Sequence, residues 1–275
     1  MDQDQFLPAE SLPVAVRITN RSGQSLRLGR EEDWLTFSVE SRNSQVVLKT
    51  GEVPVAGEFV LESSRVATKR VDLAPYFFLN RADRYSVTAT VRIKDWNQSV
   101  RSSPKGFDIL EGARLWEQEI GVPNSASGTN TTPEVRKFIL QQANYLKSQL
   151  RLYFRLTDAS GAKTFRVFPI GPLVSFARPE PQVDMFSNLH LLYQDGPRSF
   201  SYTVINPDGE IIARRTYDYA DKRPRLVPDA GGKILVTGGV RRPTPRDVPP
   251  SKPETETEPA PKPSPAPGEM MLPEL

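Results

Sequence analysis

The period-two alternation of apolar and polar side chains limits the fold of this chain more than any other feature. Tyr85, Val87, Ala89, Val91 and Ile93 alternate with Ser86, Thr88, Thr90, Arg92 and Lys94. Leu12, Val14, Val16 and Ile18 interleave with Pro13, Ala15, Arg17 and Thr19, and Leu35, Phe37 and Val39 with Thr36, Ser38 and Glu40. A strand sends successive side chains to opposite faces, so this is the pattern of half-buried antiparallel strands. Further strands are expected near 26–28, 46–48, 58–62, 65–72 and 106–110. Roughly seven or eight short strands, separated by turn signals such as Asn20-Arg21-Ser22-Gly23, predict a β-sandwich over residues 11–122. Residues 1–10 show no such pattern and are expected to fray.

Composition sets the other boundaries. Eleven of the 26 prolines lie between Pro243 and Leu275. That stretch has almost no apolar residue before Met270, so it cannot offset chain entropy by burial and is read as a disordered, Pro-rich tail. Residues 123–132 are small and polar and read as a linker. Charge follows the same divisions. Residues 1–132 hold 16 Lys+Arg and 17 Asp+Glu, a net of −1. Residues 133–242 hold 17 and 10, a net of +7, and residues 243–275 hold 3 and 6, a net of −3. A basic middle part suits an anionic surface or glycan, although scattered charge is also what solubility alone requires.

Several chemistries are excluded or narrowed. Without cysteine there is no disulfide, thiol nucleophile, iron–sulfur cluster or cysteine-ligated zinc. His190 is the single histidine. Asp184, Ser187 and Asp195 are its neighbours in sequence, but triads are recognised by geometry and no Gly-x-Ser-x-Gly elbow is present. Glu31-Glu32-Asp33, Glu117 with Glu119, and Asp218 with Asp221 are candidate carboxylate pairs for glycoside hydrolysis, and nothing in their surroundings selects one of them. No segment has the roughly 20 apolar residues of a transmembrane helix. No nucleic-acid motif or phosphate-cradling glycine loop occurs. No cofactor and no metal is expected.

The run Leu79-Asn80-Arg81-Ala82-Asp83-Arg84-Tyr85 resembles the start of a late strand in immunoglobulin-like and fibronectin-like sandwiches, where a tyrosine after a turn packs at the corner. Val16-Arg17-Ile18-Thr19-Asn20 is similar to the opening of many bacterial sandwich domains, the bacillar intracellular proteinase inhibitors among them. This resemblance covers about residues 10–112 and implies an immunoglobulin-like sandwich. It carries no inhibitory residue over to this chain.

The following part opens on a helical signature. Thr132 is a suitable N-cap, Pro133 suits the first helical position, and Val135, Phe138, Ile139, Gln142 and Leu146 share one face at helical spacing. One helix to about Ser148 is therefore predicted, then a strand. A repeat follows. Leu152–Gly161 aligns with Phe200–Gly209 at an offset of 48, each an alternating strand with an Asx-to-Gly turn. Arg178-Pro179 aligns with Arg223-Pro224, and Leu189–Leu191 with Ile234–Val236, both at an offset of 45. Such meanders resemble blades of a β-propeller. Propellers close with about four to eight blades, and two meanders are counted here. They fit equally a face-to-face sandwich, a share of a larger assembly, or similarity arising from strand–turn physics alone.

The chain thus reads as mainly all-β: a sandwich, one helix, a second antiparallel part of two meander repeats over 133–242, and the tail. The expected function is non-catalytic, an envelope or secreted protein acting through protein–protein contacts, with the abrupt Met1-Asp2-Gln3-Asp4-Gln5 start fitting a removed leader and a periplasmic or secreted location. A sandwich-type proteinase inhibitor, and a carbohydrate- or anion-binding protein or hydrolase, are the alternatives. Arg215, Tyr217, Tyr219, Arg223 and Arg225 are the candidate residues for an anionic partner, cations interleaved with stacking rings. Met270, Met271, Leu272 and Leu275 form a candidate docking motif beyond a Pro-rich spacer. Oligomeric state is not legible from the sequence.

Overall fold

A computed structural model describes residue 1 and residues 3–122, 134–145 and 149–249. The linker at 123–132 and the tail beyond 249, with its Met270, Met271, Leu272 and Leu275, lie outside the described residues.

The first part contains nine strands, β1 (Gln5–Phe6), β2 (Pro13–Thr19), β3 (Leu26–Leu28), β4 (Leu35–Ser41), β5 (Phe59–Leu61), β6 (Val66–Asp72), β7 (Asp83–Ile93), β8 (Gln98–Arg101) and β9 (Lys105–Ile109). One sheet has the order β1-β9-β7-β4, with β8 also pairing β7; β2-β6 and β3-β5 form two-stranded ribbons. The alternating residues make one sandwich-like core, with Leu12, Val14, Leu35, Phe37, Val39, Tyr85, Val87 and Val91 all buried. Over the strand expected at 46–48 only Val46 forms a bridge, with Glu40, and the next bridge is Lys49 with Phe77. The leader does not fray. Gln5 and Phe6 pair in parallel with Asp108 and Ile109, and Phe6 and Leu7 are buried. A two-residue strand is too short to show periodicity, so only its burial reveals it.

The second part contains β10 (Ala113–Val122), β11 (Glu134–Tyr145), β12 (Gln149–Asp158), β13 (Thr164–Leu173), β14 (Glu180–Val183), β15 (Leu189–Gln194), β16 (Ser199–Ile205), β17 (Ile211–Asp218), β18 (Arg225–Pro228), β19 (Ile234–Thr237) and β20 (Val240–Arg242). The predicted helix is not found over 134–145, which forms β11, an internal strand between β10 and β12; Thr132, Pro133 and residues 146–148 lie outside the described residues. Phe138 and Leu140 face one core, while Ile139 lies in the opposite alternation and is also buried. An apolar run buried on both faces satisfies the helical and the strand template alike, and pairing with two neighbours decides for the strand. β10, read as the end of the sandwich, pairs with β11 along its length and opens this second set of sheets.

Two antiparallel meanders result, β10-β11-β12-β13 and β14-β15-β16-β17, with β20 added at the edge of β17, and then the hairpin β18-β19. The meanders stack through Phe138, Leu140, Leu152, Phe154 and Leu156 against Leu189, Leu191, Tyr193 and Ile205. On the far face of the second meander, Leu192, Phe200, Tyr202 and Val204 pack against Leu226 and Ile234 of the hairpin. On the far face of the first, Ala143, Tyr153 and Val167 meet Leu7. Arg155 fixes that junction by donating to the Pro8 carbonyl at 2.8 Å and to Gln141 Oε1 at 3.1 Å.

The repeated residues occupy equivalent strands. Leu152–Leu156 belongs to β12 and Phe200–Val204 to β16, each the third strand of its meander; Arg178-Pro179 precedes β14 and Arg223-Pro224 precedes β18. Four hairpins share one turn. The N–H groups of Gly161, Ser187, Gly209 and Gly232 donate to the carbonyls of Asp158, Asp184, Asn206 and Asp229, at 2.9–3.0 Å. In each turn the Asx side chain also accepts from following backbone N–H groups. The fourth position has φ between +62° and +78°, which suits glycine; Ser187 is the departure that hides one copy from the sequence.

Candidate functional site

Three of the candidate residues, Arg215, Tyr217 and Arg223, lie on one face of the second meander. In β17 the alternation sends Arg214 and Arg215 to opposite faces, as period two requires. Arg215 is exposed, and Tyr217 is half-buried against the core beneath β18-β19. The Arg223 guanidinium lies over the Phe200 ring at 5.2 Å, and Phe200 is paired with Tyr217, so Arg223, Phe200 and Tyr217 do come together. Tyr219 sits apart, under Arg198 at 5.8 Å, and Arg225 is exposed at the start of β18. Arg241 and Arg242 are engaged by Asp247 and Asp218.

His190 is buried on the hairpin face. Its Nδ1 lies 2.7 Å from Tyr202 Oη and its Nε2 lies 3.1 Å from Asp184 Oδ2. Burial pushes the Tyr202 phenol up to about 12. Burial would also raise the Asp184 carboxyl, but hydrogen bonds from Asn188, from His190 and from the Asn188 and Phe186 backbone outweigh it and hold it below the usual range. Asp184 is spent on organising its own turn, so the cluster ties the β14–β15 turn to β16. Asp195 and Ser187 do not join it among the described contacts: Asp195 bonds Ser201, and Ser187 donates to the Gly121 carbonyl. The carboxylates proposed as catalytic pairs are mostly held in surface ion pairs, Glu31 with Lys94, Glu117 with Arg114, Glu119 with Lys137. Trp34 is a core residue whose indole donates to the Val55 carbonyl at 2.7 Å. Among the described residues no group of three His, Asp or Glu side chains could hold a metal ion, and no helix is long and apolar enough to cross a membrane.

The arrangement with uncommitted chemistry is a wedge of about 360 Å³ between the two meanders. Gly171 and Pro172 of β13 form one wall, and Tyr193, Asp195, Ser201 and Arg214 line the other. Thr244 and Arg246 close its rim, because the chain folds back after β20 and Val248 exchanges backbone hydrogen bonds with Arg214 at 2.8 and 3.1 Å. Residues 243–249, read as the start of a loose tail, are therefore part of this site. Gly171 is needed here: a Cβ on it would lie 2.5 Å from Tyr193 Oη.

The electrostatics of the wedge are unbalanced. Arg214 is half-buried, its Nε is buried without a hydrogen-bond partner, and it makes no ion pair among the described residues. Asp195 accepts from Ser201 through Oδ2 at 2.6 Å, while its Oδ1 is buried and unpartnered. Between them Tyr193 is pushed up to about 12, first by burial; a hydrogen bond with Ser201 opposes this, Asp195 adds to it, and Arg214 and Arg246 oppose it. One phenol thus feels all three charges.

No family model, curated protein or solved structure matches this chain. The functional argument rests on the wedge itself. Sequence reasoning passed over it for identifiable reasons. That Arg214 faces away from Arg215 follows from period two, but Asp195 stands near His190 in sequence and on the other face of the sheet. Arg246 falls in a Pro-rich stretch whose return to β17 has no composition signal.

Proposed function

We propose that this chain is a non-catalytic binding protein, an immunoglobulin-like sandwich joined to blade-like meanders, and that the wedge between the meanders holds a ligand bearing a negatively charged group. The observation that carries the reading is Arg214. Its Nε is buried without a hydrogen-bond acceptor, an unmade bond that is costly, and a bound anion that reaches it removes that cost. Arg246 at the rim adds a second cation without an ion pair among the described residues. The volume is in the range of small-ligand sites, about 300–1,000 Å³.

Two features support the immunoglobulin-like element. Its strand order puts the first strand, β1, parallel to the last, β9, with β7 and then β4 beyond it in the same sheet. Tyr85 near the start of β7 donates from Oη to the Arg81 carbonyl at 2.9 Å, the geometry of a tyrosine corner. The 42–58 connection is pinned to the core by Val53 and Val55, while Val46 and Leu48 in it are exposed.

The test is thermal unfolding with acetate, phosphate or glycine at fixed ionic strength, in wild type and Arg214→Met. A ligand present at ten times its dissociation constant stabilises by about 1.4 kcal/mol. At least one probe should raise the wild-type midpoint and leave the variant unmoved. Equal shifts in both proteins, or none in either, would overturn the reading.

A further inference from the structure

We infer that the ligand of the wedge is zwitterionic, a small molecule that carries a carboxylate together with a protonated amine, the carboxylate lying toward Arg214 and Arg246 and the amine toward Asp195. The inference rests on the anion-binding reading and narrows it.

The argument starts from the charges that do not pair. Asp195, Arg214 and Arg246 all border one space of about 360 Å³, and none forms an ion pair with another within 4 Å. Asp195 is kept in place by Ser201 and by its backbone N–H, which donates to the Ser199 carbonyl at 3.1 Å. Arg214 is held at its own end by the two backbone bonds to Val248 and by pairing with Thr203 in the neighbouring strand. The sheet thus places the opposite charges two same-face register rows apart, with Tyr193, Ser201 and Thr216 in the intervening row. The ladders hold the two backbones at that separation.

A ligand with only a negative charge gains from Arg214 and Arg246 but meets the Asp195 carboxylate in the same cavity, where like charges repel strongly in a low-dielectric setting. A ligand with only a positive charge has the converse difficulty. A molecule with both groups satisfies both ends. Its amine supplies the donor that Asp195 Oδ1 lacks, and its carboxylate supplies the acceptor that Arg214 lacks. Ser199 and Ser201 lie on the same wall, Ser201 donating to Asp195 and Ser199 accepting from Arg242. The opposed influences of Asp195 and the two arginines on Tyr193 agree with their convergence on one volume.

A free amino acid and the two ends of a short peptide share this chemistry, so the experiment contains both. Dissociation constants are measured by calorimetry for glycine, triglycine, N-acetylglycine and glycinamide, with wild type, Asp195→Asn and Arg214→Met. Glycine or triglycine should bind at least about tenfold more tightly than both blocked forms, a difference of about 1.4 kcal/mol. Asp195→Asn should bring N-acetylglycine within about twofold of the zwitterion, and Arg214→Met should abolish binding of the probes that carry a free carboxylate. Equal binding of glycine and N-acetylglycine to wild type would overturn the inference while leaving the anion reading intact. Absence of binding by every probe, acetate and phosphate included, would overturn both. The wild-type comparison decides the question even where Asp195→Asn does not fold.

Discussion

Replacing Tyr85 separates two contributions that the structure assigns to one side chain. The residue is 5% exposed, and its ring stacks on Phe107 with centroids 5.6 Å apart and planes at 22°. Phe107 in turn meets Phe6 edge-on at 6.2 Å, so the ring connects β7 and β9 to the leader strand. Tyr85→Ala removes the whole ring from a core that cannot fully collapse, and should cost about 3–5 kcal/mol. Tyr85→Phe removes only the bond to the Arg81 carbonyl and should cost about 0.5–1.5 kcal/mol. The lower end is expected, because Arg81 lies on an exposed turn where water can replace the lost donor. A cycle with Phe107→Leu should show coupling of about 0.5–1.5 kcal/mol from the stacked pair. Urea unfolding followed by tryptophan fluorescence is the assay, since Trp34 is buried in the same core. An unchanged denaturant slope would show that the two-state comparison holds. A loss under about 1 kcal/mol for Tyr85→Ala, or equal losses for Ala and Phe, would refute the assignment of ring to packing and hydroxyl to the corner.

Two further outcomes follow from the shared hairpin turn. Gly161 and Gly209 have φ of +77° and +75°, so alanine at either should cost about 1–2 kcal/mol for the left-handed conformation, but only at Gly209 would the new Cβ press on Arg166 at 3.0 Å and Leu156 at 3.3 Å; denaturation midpoints should rank Gly209→Ala below Gly161→Ala, and equal midpoints would refute the packing difference. The Asp184 carboxyl is held below its usual 3.8, so its contribution is present above that pH and is lost as the pH falls through the lower folded value; the stability gap between wild type and Asp184→Asn should be flat from about pH 5 upward and shrink below about pH 4, and a gap that stays constant into acid would contradict the assignment.

Much of the fold is legible in the sequence where a strand has one wet face. β2, β4 and β7 each keep an alternation that burial on one side imposes, and their ranges follow from it. Legibility fails where a strand is covered twice. Phe138-Ile139-Leu140 in β11 is buried on both faces, and its apolar run fits a helix as well as a strand. β1 fails for a different reason, since two residues hold no period. β10 depends on a partner across the 123–133 segment, and pairing across an intervening stretch leaves no local mark. The site divides in the same way. Opposite facing of Arg214 and Arg215 follows from period two, whereas the meeting of Asp195, Arg214 and Arg246 requires the stacking of two sheets and the return of the chain after β20.

That stacking also shows how the outer faces of the two meanders are covered among the described residues. A four-stranded sheet with apolar residues on both faces must be covered twice, and a repeat array left open at either end exposes one such face. Here the first meander is closed on its outer side by Leu7 and Leu110 of the sandwich part, which pack on Tyr153 and Val167. The second is closed by β18-β19, whose inward residues Leu226 and Ile234 are buried while the outward Val227 and Leu235 are 43% and 40% exposed. The hairpin begins with the same Arg-Pro lead and the same Asx turn as the second meander. After two strands the Gly238-Gly239 turn, with φ of +74° and +66°, sends the chain back to the edge of β17. The half repeat therefore acts as a cap, and the returning segment supplies Arg246 to the rim of the wedge. Closure of the stack and completion of the candidate site are produced by the same reversal of the chain.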